Sequence, residues 1–230
     1  MPQGSKKILT SNSLDIYLCE KPSQGRDIAR VLGARQKQQG YLQGNNTIVT
    51  WCIGHLLEMA EPDAYDPKYK HWSLAALPII PGKWQLRAKK STHEQLAVIG
   101  RLIKKARQVI IATDADREGE TIAREVLEHF RFNGQTARLW LSALDTVSIQ
   151  RALKNLRDSN ETKPLYFSGL ARSRADWLIG MNLTRAFTLH GKDRQLRSVG
   201  RVQTPTLSLV VKRDREIEHF VAQPYYEVHA

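Results

Sequence analysis

At 230 residues and 41% hydrophobic content, the chain is long enough to bury one full core plus the beginning of a second. Thirty-five Lys and Arg against 23 Asp and Glu give a formal charge of +12, which favours a polyanionic partner, nucleic acid first, and argues against an acidic scaffold. Only Cys19 and Cys52 are present, each in an apolar run, so neither a disulfide framework nor a cysteine zinc site is supported. No apolar segment reaches the length of a signal peptide or membrane span, and the expectation is a cytoplasmic protein with no membrane partner.

Residues 1–13 are polar and read as a flexible tail. A strand over Asp15–Cys19 leads through Glu20, Lys21 and Pro22 to a helix capped by Ser23 and ended by Gly33, with Ile28, Val31 and Leu32 as its buried stripe. Tyr41–Gln43 and Thr47–Cys52 flank Gly44-Asn45-Asn46, a hairpin signal. The proline-rich stretch from Glu61 to Lys83 reads as loop. Thr92 and Gln95 have capping-box spacing ahead of Leu96, Ile99, Leu102, Ile103 and Ala106 at helical period. The apolar run Val109–Ala112 is too short for a helix and suits the buried centre of a parallel sheet. A helix with Ile122, Val126 and Phe130 on one face follows, then a strand near Ala137–Leu141.

This alternation predicts an α/β fold, a mainly parallel sheet between helices over residues 14–144, with its ligand site at the carboxyl ends of the strands. A mostly helical second domain is expected over 145–230. In it Asp145 caps a helix lined by Ile149, Ala152, Leu153 and Leu156, and a longer helix begins near Pro164. Thr204-Pro205 opens a last helix that buries Leu207, Val210, Val211 and Ile217. Pro224–Ala230 reads as a strand just under way, so the chain is expected to be cut rather than finished, its second domain incomplete.

The apolar run at Val109 continues directly into Thr113-Asp114-Ala115-Asp116-Arg117-Glu118-Gly119-Glu120. On an extended backbone Asp114 and Asp116 point to one side, with Glu118 one step further. Two carboxylates about 5 Å apart repel by about 3 kcal/mol at an effective dielectric of about 20, so a converging cluster favours a cation; oxygen ligands suit Mg2+. Glu20 also follows a strand, and a parallel sheet brings it to the same edge, with Lys21 placed to touch a phosphate. Acidic residues also belong in a helix's first turn for dipole reasons alone. A phosphatase of the Asp-x-Asp-x-Thr type fits poorly, because here the pair comes late and is followed by Arg117-Glu118. Between Arg172 and Arg215, ten basic side chains face three acidic ones. That run suits a polyanion, although a charge run taken alone reads first as an ordinary solvated surface.

Glu20 early, then Asp114-x-Asp116-x-Glu118 after a later strand, is similar to the Toprim domain shared by topoisomerases, primases and some nucleases. The string from Thr113 to Glu120 resembles the type IA topoisomerase version, topoisomerase III-like, as do Glu20-Lys21-Pro22-Ser23 and Ile53-Gly54-His55-Leu56-Leu57-Glu58. The segments Ala171–Ala186 and Ser198–Pro205 extend the resemblance over nearly all of Leu14–Ala230. It implies a Toprim domain over 14–144 and the first part of the gate-base domain over 145–230. It further implies Mg2+ on an acidic group of Glu20, Asp114, Asp116 and Glu118, with Glu20 also transferring a proton to the leaving 3′ oxygen and Lys21 stabilising the phosphate. Single-stranded DNA would be met by His55, Arg172, Asp176, Arg201 and Gln203. The implied activity is ATP-independent breakage, strand passage and rejoining through a tyrosine nucleophile. None of the seven tyrosines sits in anything like the family's tyrosine motif, so a missing carboxy-terminal segment is expected to carry it. The alternative reading is a non-catalytic single-stranded-DNA-binding or interaction module. Ser173 stands where some relatives have a second arginine.

Overall fold

The structure, a computed structural model, describes residues 14–193 and 195–229; the tail reading of 1–13 lies outside the described residues, as do Arg194 of the basic run and Ala230. In chain order the elements are β1 (Leu14–Cys19), α1 (Pro22–Leu32), β2 (Gln36–Gln38), β3 (Tyr41–Gln43), β4 (Thr47–Trp51), β5 (Leu57–Met59), β6 (Leu86–Ala88), α2 (His93–Ile103), β7 (Ala106–Ala112), α3 (Arg117–His129), β8 (Gln135–Arg138), α4 (Thr146–Lys154), β9 (Arg157–Asp158), α5 (Lys163–His190) and α6 (Gln203–Glu218). By contacts the chain divides into two compact units: the described residues up to 60 with 83–173, and 61–82 with the described residues from 174 onward.

The first unit is built on a sheet in the order β2-β3-β4-β1-β7-β8-β9, parallel across β4-β1-β7-β8 and antiparallel at both ends. The period-2 geometry of the central strands feeds two cores. Ile16, Leu18, Ile48, Val109 and Ile111 face one side, covered by Leu96, Ile99 and Leu102 of α2 and Ile122 and Val126 of α3. Tyr17, Cys19, Val49, Ile110 and Ala112 face the other, covered by Ile28 of α1 and Ile149 of α4. The mainly parallel α/β sheet predicted from the apolar runs is the observed one. Because β1, β7 and β8 are parallel neighbours, Glu20, Thr113–Asp116 and Leu139–Ser142 all leave the sheet at one edge.

Local details depart from the sequence reading for identifiable reasons. Helix α1 starts with Pro22 at its first position and Lys21 as cap residue, so Ser23 is already helical. Thr92 makes no capping bond; Gln95, spaced as its partner, instead donates to the carbonyls of Gly40 and Trp51 and to Thr50 Oγ1, tying α2 to the sheet. Asp145 does cap α4, accepting from the Ser148 amide at 3.0 Å.

In the second unit Asn182 of α5 clamps the proline-rich stretch, accepting from the Ile79 amide at 2.6 Å and donating to its carbonyl at 3.0 Å, while Arg185 donates to the Tyr69 carbonyl at 2.8 Å. That stretch holds three short 3-10 turns rather than featureless loop. Helix α6 begins at Gln203, one residue before the expected cap, and Thr204 Oγ1 accepts from the Gly200 amide. Its expected buried face is exposed: Leu207 63%, Val210 52%, Val211 37%, Ile217 59%. No described element packs over these residues, so the helical periodicity has no core to serve here. Residues 221–229 likewise form no ladder, because no described strand pairs with them.

Candidate active site

Glu20, the residue after β1, and Asp114, two residues after β7, meet at the shared sheet edge. The Asp114 amide donates to Glu20 Oε2 at 3.3 Å, and Lys21 Nζ lies 2.8 Å from Asp114 Oδ2 and 4.0 Å from Glu20 Oε1. Gln24, in the first turn of α1, links the two segments. Its carbonyl oxygen accepts from the Glu20 amide at 2.8 Å, and its NH2 donates to Asp114 Oδ1 at 3.0 Å.

Asp116 takes a different position. Its backbone is extended, but it is the cap residue of α3, with Oδ1 accepting from the Gly119 amide at 2.7 Å. The chain turns helical at Arg117, so Glu118 does not continue the extended row. It is directed to His55 Nε2 at 2.8 Å, while His55 Nδ1 lies 3.0 Å from the buried Glu125 carboxylate. Glu118 and Glu125 are seven residues apart on α3 and therefore share a face, which makes them a clamp on the imidazole. These two carboxylates raise the His55 pKa above its ordinary value, against the opposing effect of burial. Among the described residues, no group of three or more His, Cys, Asp and Glu side chains is arranged to hold a metal.

Beneath the edge lies a network centred on Arg138, a fully buried side chain on β8. Its Nε donates to Glu120 Oε1 at 2.5 Å, Nη1 to the carbonyls of Ile111, Thr113 and Leu139, and Nη2 to the carbonyl of Asp114 at 2.6 Å. Arg124 completes the neutralisation of Glu120 at 2.7 Å and also donates to the Ser159 carbonyl. The sequence reading assigned no role to Gln24, Glu120, Arg124, Glu125 or Arg138. The available signal was Ala137-Arg138-Leu139, an arginine inside an apolar strand segment.

The remaining predicted residues lie on α5, just before α6 and at its start. Arg172 is on α5 in the first unit. In the second unit Asp176 pairs with Arg201 Nη1 at 2.8 Å, each side chain about 40% exposed, and Gln203 donates to Ser198 Oγ at 2.7 Å.

Burial raises the Glu20 pKa, and the Asp114 charge adds to the rise, outweighing the Asp114 amide and Lys21. A carboxyl group whose folded pKa exceeds its unfolded value near about 4.3 binds its proton more tightly in the folded state. Stability therefore falls as pH rises from that value through the folded pKa. In metal-free buffer Glu20→Gln is expected to raise Tm at pH 8 and to lose that advantage below about pH 4. Thermal unfolding at both pH values checks this, and an unchanged or lower Tm at pH 8 contradicts it.

The Toprim domain profile matches residues 15–144, and a DNA topoisomerase profile matches residues 160–230. DNA topoisomerase 3 of Vibrio cholerae is 50% identical over 224 residues, covering 94% of this chain and 35% of the relative. The Salmonella typhimurium DNA topoisomerase 3 is 48% identical over 224 residues, with 94% and 34% covered. Full-length topoisomerase I from Thermotoga maritima superimposes with a TM-score of 0.61 at 25% identity, covering 90% of this chain and 31% of that one. The chain thus spans about a third of the length of these relatives. With the Toprim match over more than half its length and topoisomerase 3 relatives along nearly all of it, the chain belongs to the type IA DNA topoisomerase family, topoisomerase III-like.

Proposed function

We propose that this chain is the metal- and phosphate-handling part of an enzyme that breaks, passes and rejoins single-stranded DNA without ATP. The observation that carries the reading is the convergence of Glu20, Lys21 and Asp114 at one sheet edge. In the proposed step a tyrosine hydroxyl, from a segment other than those matched here, attacks a strand phosphorus. The bond to the 3′ oxygen breaks, the 5′ phosphate stays on the tyrosine, and the 3′ hydroxyl later reverses the exchange. Glu20, whose pKa is raised above the ordinary carboxylate value by burial and the Asp114 charge, donates a proton to the leaving 3′ oxygen. Lys21, half exposed beside the site, meets the phosphate.

Mg2+ fits this donor set in a restricted way. The donors are carboxylate oxygens only: Asp116 commits only Oδ1 to its cap, and Asp114 Oδ2, paired with Lys21 here, would have to exchange that ammonium for an ion that keeps several waters and a substrate phosphate. Glu20 and Glu118 are the further candidates, Glu118 on release from His55. Such an ion would neutralise charge on the reacting phosphate. We assign single-stranded DNA contacts to His55, Arg172, Asp176, Arg201 and Gln203; Asp176 would orient Arg201 toward the backbone.

The test is binding of oligo(dT) by the 230-residue protein across a salt series. A slope of about −0.7 per phosphate contacted is expected, so four contacts weaken binding about 50-fold between 50 and 200 mM salt. The protein alone should not relax supercoils, and adding a tyrosine-bearing segment of a relative should give cleavage with the 5′ phosphate held on protein. Salt-insensitive binding or none would overturn the DNA reading. Binding without restored cleavage would favour a non-catalytic module.

A further inference from the structure

The sheet edge that holds Glu20 and Asp114 continues past β8 into a feature outside that site. Leu139 extends the ladder by one bond to the Ile111 carbonyl, and Trp140 follows. The Trp140 ring has the guanidinium of Arg138 at 5.1 Å and that of Arg157 at 5.0 Å from its centroid. Beside it opens a cavity of about 260 Å³ walled by Trp140, Ser142, Ser148, Arg151, Asn155 and Arg157, and none of its lining residues is acidic. The nearest carboxylates by sequence are otherwise engaged: Asp145 caps α4 and Asp158 caps the turn at Asn160.

Arg138 joins this cavity to the acidic edge, since one buried side chain touches both the Trp140 ring and the Asp114 carbonyl. An aromatic platform with two exposed arginines, two hydroxyls and an amide, and no carboxylate, matches a nucleotide: a π face for the base and cations for the phosphate. The volume lies below the about 300–1,000 Å³ of enclosed small-molecule pockets and suits one base with its phosphate at the rim.

We propose that this cavity is a further single-stranded DNA subsite, which stacks one base on Trp140 and holds the adjoining phosphate with Arg151 and Arg157. Arg157, exposed over the ring, is the cation a base displaces, and its guanidinium then turns to the phosphate. This subsite rests on the single-stranded DNA reading above and gives it a position on the Toprim sheet that none of the assigned DNA contacts occupies.

Fluorescence anisotropy with labelled oligo(dT) tests it. The variant R151E/R157E is compared with K104E/K105E, which makes the same charge change at exposed positions beside the opposite, amino edge of β7. R151E/R157E should weaken binding at least about tenfold more than the control and make the salt slope shallower by about 0.7–1.4, one or two phosphates. W140L should weaken binding about 5- to 150-fold with the slope unchanged, because stacking releases no counterions. R151E/R157E binding like K104E/K105E, or W140L binding like the unaltered protein, would overturn the subsite alone. Failure of the unaltered protein to bind oligo(dT) would overturn the function reading beneath it as well.

Discussion

Arg138→Met is expected to lower the unfolding free energy by about 3–5 kcal/mol, the range for removing one partner of a buried ion pair. Arg138 and Glu120 are both fully buried. Without the guanidinium, Glu120 keeps Arg124 as its remaining cation, and the carbonyls of Ile111, Thr113, Asp114 and Leu139 lose the bonds it donates, Ile111 retaining the Leu139 amide. Arg138→Lys should recover less than half of the loss, since an ammonium has no planar fork to span five acceptors. The cycle closed by Glu120→Gln should show strong coupling, because the two side chains share one bond at 2.5 Å. Urea unfolding of the four proteins of the cycle and of Arg138→Lys measures this, and a loss under about 1 kcal/mol for Arg138→Met would contradict it. The consequence reaches the site because three of these carbonyls, at 111, 113 and 114, belong to the segment that delivers Asp114.

The sequence disclosed the sheet where the physics was local. Val109–Ala112 is uniformly apolar because both of its faces are buried, and Gly44-Asn45-Asn46 marks the β3-β4 hairpin. Asp145 caps α4 as its position predicts, its carboxylate accepting from the Ser148 amide three residues on. Local rules failed where tertiary contacts captured a side chain, as with Gln95, whose amide serves the sheet rather than its helix end. Periodicity failed on α6, where an apolar stripe is present but the described chain supplies nothing to cover it. At the site, the meeting of Glu20 with Asp114 follows from adjacent parallel strands. The turn of Glu118 to His55 does not, because it depends on where Asp116 ends the extended backbone. Arg138 was hidden for a further reason: an arginine in a strand reads as surface until its neighbours are known to be buried.

Gly119→Ala is expected to cost about 1–3 kcal/mol of stability and, in a cleavage-competent assembly, about 10²-fold in strand cleavage. A Cβ at Gly119 would lie 2.3 Å from the Asp114 carbonyl oxygen and 2.9 Å from its nitrogen, both backbone atoms that no rotamer change can remove. The cost is steric, since Gly119 is an ordinary helical residue in the first turn of α3. Three bonds converge there: its amide donates to Asp116 Oδ1, its carbonyl accepts from the Thr113 hydroxyl, and the Arg138 guanidinium donates to the Asp114 carbonyl. The loop must therefore move as a unit by about an ångström, the scale at which misplacement of reacting groups costs about 10²-fold. That shift separates Asp114 from both the Glu20 carboxylate and Lys21. Gly82→Ala is the control, because a Cβ there meets nothing within 4 Å; its effect should stay within about 0.5 kcal/mol. Thermal unfolding and a cleavage assay with the tyrosine-bearing segment supplied check both. Full cleavage by the Gly119→Ala protein would mean that the position of Asp114 does not limit the chemistry.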